Sequence, residues 1–193
     1  MKKLLIGLGL LSLSTAAFAQ GKQQAVTITS NIQAVKETTD AKGVKKKTTK
    51  SSLSDYKSGF KIGGVKMILD GSPQGKTAYL TQPYKIPPKG GGHDYRGYPI
   101  MPAESVDALF AKFLGAGLPI LAHANGDAAA DLFVNALNRS IDMSSIPDHR
   151  TVMIHAQTVR EDQLDIMAEL KAIPSFFSAH TFYWGDWHRD SVF

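Results

Sequence analysis

Residues 118–131 read LPILAHANGDAAAD, and this stretch decides the fold class. Its first part is a short apolar run, typical of a buried strand, that stops at His123. Asp127 can cap a helix that continues through Leu137 with apolar residues on one side. A buried strand, a polar turn and a helix in this order form the repeating unit of a parallel α/β sheet.

The same unit recurs on both sides of this stretch. Residues 64–69 predict a buried strand, and a long loop rich in glycine and proline follows over 70–100. Three further strands are predicted over 119–122, 151–154 and 173–178. The helices between them are the one from Asp127 and one opened by the capping box Thr158 to Glu161. A helix before the first of these strands has the apolar stripe Val106, Leu109, Phe110, Phe113 and Leu114. This alternation predicts a parallel sheet with right-handed crossovers.

Three of the predicted strands lead into a histidine at their C-terminal end: His123, His155 and His180. In parallel α/β folds those ends converge on the ligand site. One such histidine would most often be a loop or packing residue, whereas three on successive strands favour a shared polar site. Imidazole is a common ligand for zinc and similar divalent ions, so the pattern predicts a metal site there.

Lys66 interrupts the apolar run of the first strand in this series. Because a buried ammonium is costly unless it is paired, two interpretations are open. In the first, Lys66 faces solvent on an edge strand. In the second, it points into the interior, where a lowered pKa lets the neutral amine react with carbon dioxide. The resulting carbamate would supply oxygen ligands.

Composition narrows the classes of protein to which the chain can belong. The chain has 193 residues, of which 43% are hydrophobic, and its formal net charge is +5. Much of the excess lysine lies at residues 2–3 and 42–50 without aromatic or motif support, so we expect no nucleic-acid partner. The absence of cysteine excludes disulfides and thiolate zinc sites.

The N-terminus has the pattern of a signal peptide over residues 1–19. Two lysines precede an apolar run over 4–13, and Ala17-Phe18-Ala19 supplies a small-x-small cleavage site. The run is shorter than the about 20 residues that a membrane helix needs, which disfavours the alternative of an uncleaved anchor. We therefore expect export to the periplasm or secretion, with no stable membrane insertion once the signal is removed.

Residues 20–55 form a second, polar segment that is rich in Lys, Thr, Ser and Gln. A weak strand pattern surrounds residues 26–28. Two further runs, over 32–38 and 44–49, could form a hairpin around the turn at 40–43. An equally good interpretation is a flexible linker, because the segment has little apolar surface to offset its ordering entropy.

Four stretches carry a resemblance to a known family. They are GGVKMILDGSPQGKTAYL (63–80), LPILAHANGDAAAD (118–131), RTVMIHAQ (150–157) and SFFSAHTFYWGDWHRDSVF (175–193). In content, order and spacing they resemble amidohydrolase family 3, the branch of the metal-dependent hydrolase superfamily that includes N-substituted formamide deformylases. The resemblance covers about residues 56–193.

The resemblance implies an α/β fold, a partial TIM-type (β/α)8 barrel that holds about strands four to seven. The expected domains are the signal peptide over 1–19, the polar segment over 20–55 and the partial barrel over 56–193. Four strands of a barrel leave two open edges, so we expect self-association or a complementing barrel fragment. The side chains expected to face the barrel interior are Val65, Met67, Ile120, Met153 and Phe176.

The resemblance also implies a site and a reaction. One or two divalent metal ions, zinc above all, would be held by a carbamylated Lys66 with His123 and His155, which would be the catalytic residues. The candidate substrate-binding residues are Asp70, His180, Trp184 and Asp186. The substrate would be a small molecule with an amide- or formamide-like carbon–nitrogen bond that is not a peptide bond.

The sequence departs from the family pattern in two ways. No two histidines are two residues apart, so the first-strand His-x-His pair is absent. Asp186 and Asp190 lie too early to be the aspartate that the family places after its eighth strand as ligand and general base. Two hypotheses follow. One is a hydrolase of carbon–nitrogen bonds whose site something else completes, and the other is a catalytically inactive exported fragment, at most a weak metal binder or interaction module.

Overall fold

A computed structural model describes most of residues 62–193 and two short stretches before them. The described residues are 62–141 and 148–193, together with the backbone of 36–39 and 45–48. The contacts divide the chain into two compact units, Met1–Ile62 and Gly63–Phe193. The predicted signal peptide and the predicted strand around 26–28 lie outside the described residues.

The first unit contains a short antiparallel hairpin. Strand β1 is Lys36–Thr39 and strand β2 is Lys45–Thr48. Lys36 pairs with Thr48, and Thr39 pairs with Lys45. These two strands overlap the two runs over 32–38 and 44–49.

The second unit alternates strands and helices. Its elements are β3 Val65–Ile68, α1 Ala103–Gly115, β4 Ile120–Ala124, α2 Asp127–Ser140, β5 Val152–His155, α3 Glu161–Glu169, β6 Ile173–Phe176 and α4 Ala179–Ser191. The strands form one parallel sheet in the order β3-β4-β5-β6. This confirms the predicted element order, and the architecture is that of a partial α/β barrel.

The two faces of the sheet differ in what covers them. Met67, Ile120 and Met153 are at most 5% exposed, because they lie on the face that the helices cover. The prediction that these side chains face the barrel interior was therefore wrong. It was also wrong for Val65, which pairs with Ile120 and shares its face. In register, Lys66 pairs with Leu121 and Ile68 pairs with His123, so the opposite face carries these four residues. That face is the more open one, since Ile68 is 49% exposed.

Apolar contacts between α1 and α2 form much of the core under the sheet. The stripe predicted for α1 is buried at Val106, Phe110, Phe113 and Leu114. The Phe110 ring meets the Phe133 ring of α2 edge-on, at 5.6 Å between centroids. Such aromatic pairs add about 0.5–1.5 kcal/mol beyond their area of burial.

The starts of two helices differ from the sequence-based expectation. Gly126 is the N-cap of α2 and Asp127 is its first residue. Helix α3 begins after Arg160, whose backbone N–H donates to the side-chain oxygen of Gln163 at 3.0 Å. The predicted capping box from Thr158 is wrong, because the Thr158 hydroxyl instead donates to the carbonyl of Asn125.

The long segment between β3 and α1 forms no helix or strand, as predicted, but hydrogen bonds near its middle hold it to α2 and α4. The carboxylate of Asp127 accepts hydrogen bonds from the backbone N–H and the hydroxyl of Thr81. Farther along, the backbone N–H of Ile86 donates to the carbonyl of Ser191 at 3.1 Å. The segment therefore runs from the sheet to the end of α4. No helix in the described part of the chain is long and apolar enough to cross a membrane.

Candidate active site

Two of the predicted site residues come together where the neighbouring strands β4 and β5 end. The rings of His123 and His155 meet edge-on, with centroids 4.6 Å apart. Partial burial lowers the pKa of His155, and the positive charges of His123, Lys66 and His180 lower it further. His155 is therefore held neutral, with a ring lone pair that a cation could use.

The backbone of His155 brings its ring to that of His123. His155 pairs with Ala124 in the ladder, and Ala124 is buried on the helix-covered face. Strict alternation would send the histidine to that face as well. His155 instead has φ +79°, and Ala156 follows with φ +47°. Left-handed residues other than glycine cost about 1–3 kcal/mol each and cluster at functional sites.

Lys66 combines features of both interpretations of its role. It lies on β3, which is at an end of the strand order, and its side chain is exposed among the described residues. Partial burial nevertheless lowers the pKa of its amine. Its charge also acts on His155. The strand register places Lys66 on the same sheet face as His123, which is the open face.

Polar groups surround the Nε2 atom of His123. The carbonyl oxygen of Gly71 lies 2.8 Å from it, and the side-chain nitrogen of Asn125 lies 2.9 Å from it. An oxygen of the Asp70 carboxylate lies 3.7 Å away. The Gly71 carbonyl can only accept and favours a hydrogen on Nε2, whereas the Asn125 nitrogen can only donate and favours a lone pair there. Because that nitrogen already donates to the Gly71 carbonyl at 2.6 Å, the two acceptors, Gly71 and Asp70, favour the hydrogen on Nε2 and leave Nδ1 with the lone pair.

Asp70 is only 1% exposed and serves as an acceptor for the backbone. Its carboxylate accepts N–H groups from Tyr79 at 3.0 Å, Asn125 at 3.0 Å and Gly126 at 2.8 Å. Burial raises the pKa of this carboxyl, although the three N–H groups and the charge of His123 oppose that rise. This placement favours a role in holding the loops after β3 and β4 over contact with a substrate.

The third predicted histidine, His180, does not end a strand. Strand β6 stops at Phe176, and His180 lies in the first turn of α4. A row of ring contacts joins it to the site, since Phe177 lies 6.0 Å from His155 and 5.9 Å from His180 between ring centroids. Beyond it the His188 ring lies 5.5 Å away.

The other predicted substrate-binding residues lie on α4. Trp184 is 42% exposed and contacts the ring of Trp187 at 6.3 Å between centroids. Asp186 is almost fully exposed and pairs with Arg189 at 2.9 Å. No contact in the described chain joins Trp184 or Asp186 to His123 or His155.

One feature of the site was missed from the sequence. Asn125 and Gln157 form a hydrogen-bonded amide pair behind His123. Their positions just after the histidines of β4 and β5 were the available signal. His188 is buried, and its Nε2 atom has no partner among the described residues. No local pattern distinguishes that burial from exposure.

The side chains at this site are of the types that bind a divalent cation, although there are fewer of them than a complete metal site has. Two imidazoles on neighbouring strands are suitable ligands for such an ion, and a carbamate on Lys66 would add oxygen. Within residues 62–141 and 148–193 no group of three or more His, Asp and Glu side chains is arranged to hold a metal.

Comparison with known proteins confirms the family that the sequence resembles. The model of the amidohydrolase family, family 3, matches residues 9–193. The match begins well before residue 56, so the predicted extent of the resemblance was too narrow. YtcJ of Bacillus subtilis (strain 168), a protein named as an amidohydrolase, is 27% identical over 64% of this chain.

Two solved structures are similar to the described fold. A metal-dependent hydrolase from Pyrococcus furiosus has a TM-score of 0.58 and 27% identity over 72% of this chain, and one from Pyrococcus horikoshii OT3 has a TM-score of 0.52 and 30% identity over 68%. The chain spans 22–27% of the length of these three relatives. By the extent of the family match, the chain belongs to the amidohydrolase family.

Proposed function

We propose that this chain carries part of the metal centre of a hydrolase that cleaves amide- or formamide-like carbon–nitrogen bonds in small molecules. The observation that supports this most directly is the contact between the His123 and His155 rings, whose centroids lie 4.6 Å apart on the sheet face that carries Lys66. Family membership supports the reaction class. Zinc is the ion that we propose, because imidazole nitrogen and carboxylate-type oxygen are among its usual ligands in proteins.

Each of the three residues would contribute a different group. The lowered pKa of Lys66 favours its neutral amine, which adds to the carbon of carbon dioxide and releases a proton to leave a carbamate. His155 is held neutral by burial and nearby positive charge. His123 has its Nε2 turned toward Gly71, so Nδ1 would face the ion. A bound divalent cation would polarise the scissile carbonyl and acidify a water.

The substrate would enter over α4. The Phe177 ring contacts both the His155 ring and the His180 ring, so His180 lies near the site. Its ring could hydrogen-bond a polar group of the substrate. Trp184 offers exposed aromatic surface on the same helix. We propose these two, rather than the buried Asp70, as substrate contacts. We also propose that the protein acts after export, in the periplasm or outside the cell.

Metal titration of the full chain tests the proposal. We expect zinc to bind to the parent protein and to bind measurably more weakly to His123→Ala and to His155→Ala in calorimetry. His93→Ala is the matched control, because His93 is an exposed histidine in the long loop. Equal zinc affinity in the parent and in both site variants would refute the metal centre.

A second candidate is an inactive exported fragment that binds metal weakly. The observation in its favour is the absence, among the described residues, of a third His, Asp or Glu ligand beside the two imidazoles. A positioned general base contributes about 100- to 10,000-fold to a rate. If this candidate is right, zinc binds but no amine is released from amides or formamides, even with added bicarbonate.

A further inference from the structure

Asn125 is the point at which the loops after three neighbouring strands are joined. We propose that Asn125 is a positioning residue, which fixes the ring orientation and tautomer of His123 and the spacing of the strand ends that carry the metal ligands. The inference rests on the proposed metal centre for its effect on metal affinity. Its effect on the imidazole does not depend on a bound metal.

Every hydrogen-bonding group of Asn125 is in use. Its backbone N–H donates to Asp70 at 3.0 Å. Its side-chain nitrogen donates to the carbonyl of Gly71 at 2.6 Å and lies 2.9 Å from Nε2 of His123. Its side-chain oxygen accepts from Gln157 at 2.7 Å. Its carbonyl accepts from the N–H and the hydroxyl of Thr158, at 3.0 and 2.9 Å. The residue is 2% exposed, so water does not replace these partners.

These partners belong to three different strand ends. Asp70 and Gly71 follow β3, which carries Lys66, while Asn125 itself follows β4, two residues after His123. Gln157 and Thr158 follow β5, two or three residues after His155. A single side chain therefore connects the segments after all three residues that we propose as metal ligands.

The chemistry of the position requires an amide. The carbonyl of Gly71 can only accept a hydrogen bond, while the nitrogen of Gln157 can only donate one. An amide offers both a donor and an acceptor at the required places, whereas a carboxylate would face the Gly71 carbonyl with two acceptors. A leucine would retain the size and lose both bonds.

The same amide contacts His123 directly and also acts on it through Gly71. Its nitrogen lies 2.9 Å from Nε2, but it donates to the Gly71 carbonyl at the shorter distance of 2.6 Å. The side chain of Asn125 holds the Gly71 carbonyl 2.8 Å from Nε2, where it favours the tautomer with hydrogen on that nitrogen. The carboxylate of Asp70 at 3.7 Å favours the same tautomer. Nδ1 is then the nitrogen with a free lone pair. Partners of this kind set the tautomer of ligating histidines, and their removal typically weakens metal binding by about 10- to 100-fold.

The test measures the imidazole directly and the metal separately. In metal-free protein with 15N-labelled histidine, NMR should show His123 with hydrogen on Nε2, assigned by its loss in His123→Ala. Asn125→Leu should shift this signal toward a mixture of tautomers and weaken zinc binding by about 10- to 100-fold. Gln157→Leu should change both quantities in the same direction by less, because it removes one of the two side-chain bonds.

Asn135→Leu is the matched control, since Asn135 is exposed on α2, and it should leave both quantities unchanged. Unaltered His123 signals in Asn125→Leu would overturn the inference, as would hydrogen on Nδ1 in the parent protein. Should Asn125→Leu fail to fold, unaltered His123 signals in Gln157→Leu decide against it in the same way. A parent protein that binds no zinc would refute the proposed function, while the NMR result would still decide the role of Asn125.

Discussion

Two histidines illustrate how the same residue type acquires opposite roles. His155 lies at the end of β5, where a left-handed backbone brings its ring to that of His123 on the open face. His188 lies in α4 and is buried, with an Nε2 atom that has no partner in the described part of the chain. A buried nitrogen without a partner costs about 1–3 kcal/mol. The first placement suits a ligand, whereas the second is a cost to stability.

The burial of His188 predicts a pH dependence of stability. Burial, and then the charge of His180, lower its pKa below the ordinary 6.5. The unfolded chain therefore binds a proton that the folded chain resists, so the free energy of unfolding decreases as the pH falls below about 6.5 toward the lowered value.

We expect His188→Phe to unfold at no lower denaturant concentration than the parent at pH 7.5, and to lose less stability than the parent at pH 5.5. Urea unfolding at the two pH values measures this. His93→Phe, at an exposed loop position, should retain the pH dependence of the parent. An identical loss of stability in the parent and in His188→Phe would contradict the assignment.

At the scale of elements, the long segment after β3 is packed against the start of α2. A Cβ atom at Gly126 would lie 1.9 Å from the carbonyl oxygen of Tyr79, so only glycine fits there. The N–H of Gly126 also donates to Asp70 at 2.8 Å. The close approach of the two backbones therefore fixes the loop that brings Asp70 and Gly71 to the site.

Gly126→Ala should lower the free energy of unfolding by about 1–3 kcal/mol or more, because the backbone must move to admit the methyl group. Gly115→Ala is the control at the end of α1, where a Cβ atom would meet nothing within 4 Å. That change should be neutral, or stabilising by at most about 1 kcal/mol. Equal denaturation midpoints for the two variants would show that the close approach at Gly126 does not matter.

For the whole molecule, the division into two units predicts where proteases cut. The boundary between the units in the chain falls between Ile62 and Gly63, and the polar segment over 20–55 belongs to the first unit. Limited trypsin digestion should cleave among the lysines at 42–50 first and leave a resistant fragment that starts between Tyr56 and Gly63. Protection of the 42–50 stretch equal to that of the second unit would contradict a separate polar segment.

The open face and edges of the parallel sheet predict association. Among the described residues β3 and β6 each pair with one strand only. Ile68, Ile173 and Phe176 on these two strands are about half exposed. Unpaired strand edges with apolar side chains favour pairing with other chains.

We expect oligomers or larger aggregates in size-exclusion chromatography with light scattering. Ile173→Lys on β6 should reduce the associated fraction, since a charge on an edge strand opposes pairing. Ile86→Lys is the control, because Ile86 has similar exposure but lies in the long loop. A monodisperse monomer for the parent would contradict this expectation.

The sequence by itself determined the order of the elements, the parallel sheet and the positions of His123 and His155 at strand ends. Apolar runs and helical stripes are local patterns, so they can be read without knowledge of contacts. Which sheet face the helices cover is not local, and Met67, Ile120 and Met153 were placed on the wrong side for this reason. The left-handed turn at His155 follows from no residue type, since histidine adopts it only where its surroundings require it. The burial of Asp70 and the bonds of Asn125 join segments that lie up to 56 residues apart in the chain, so only the tertiary structure could decide them.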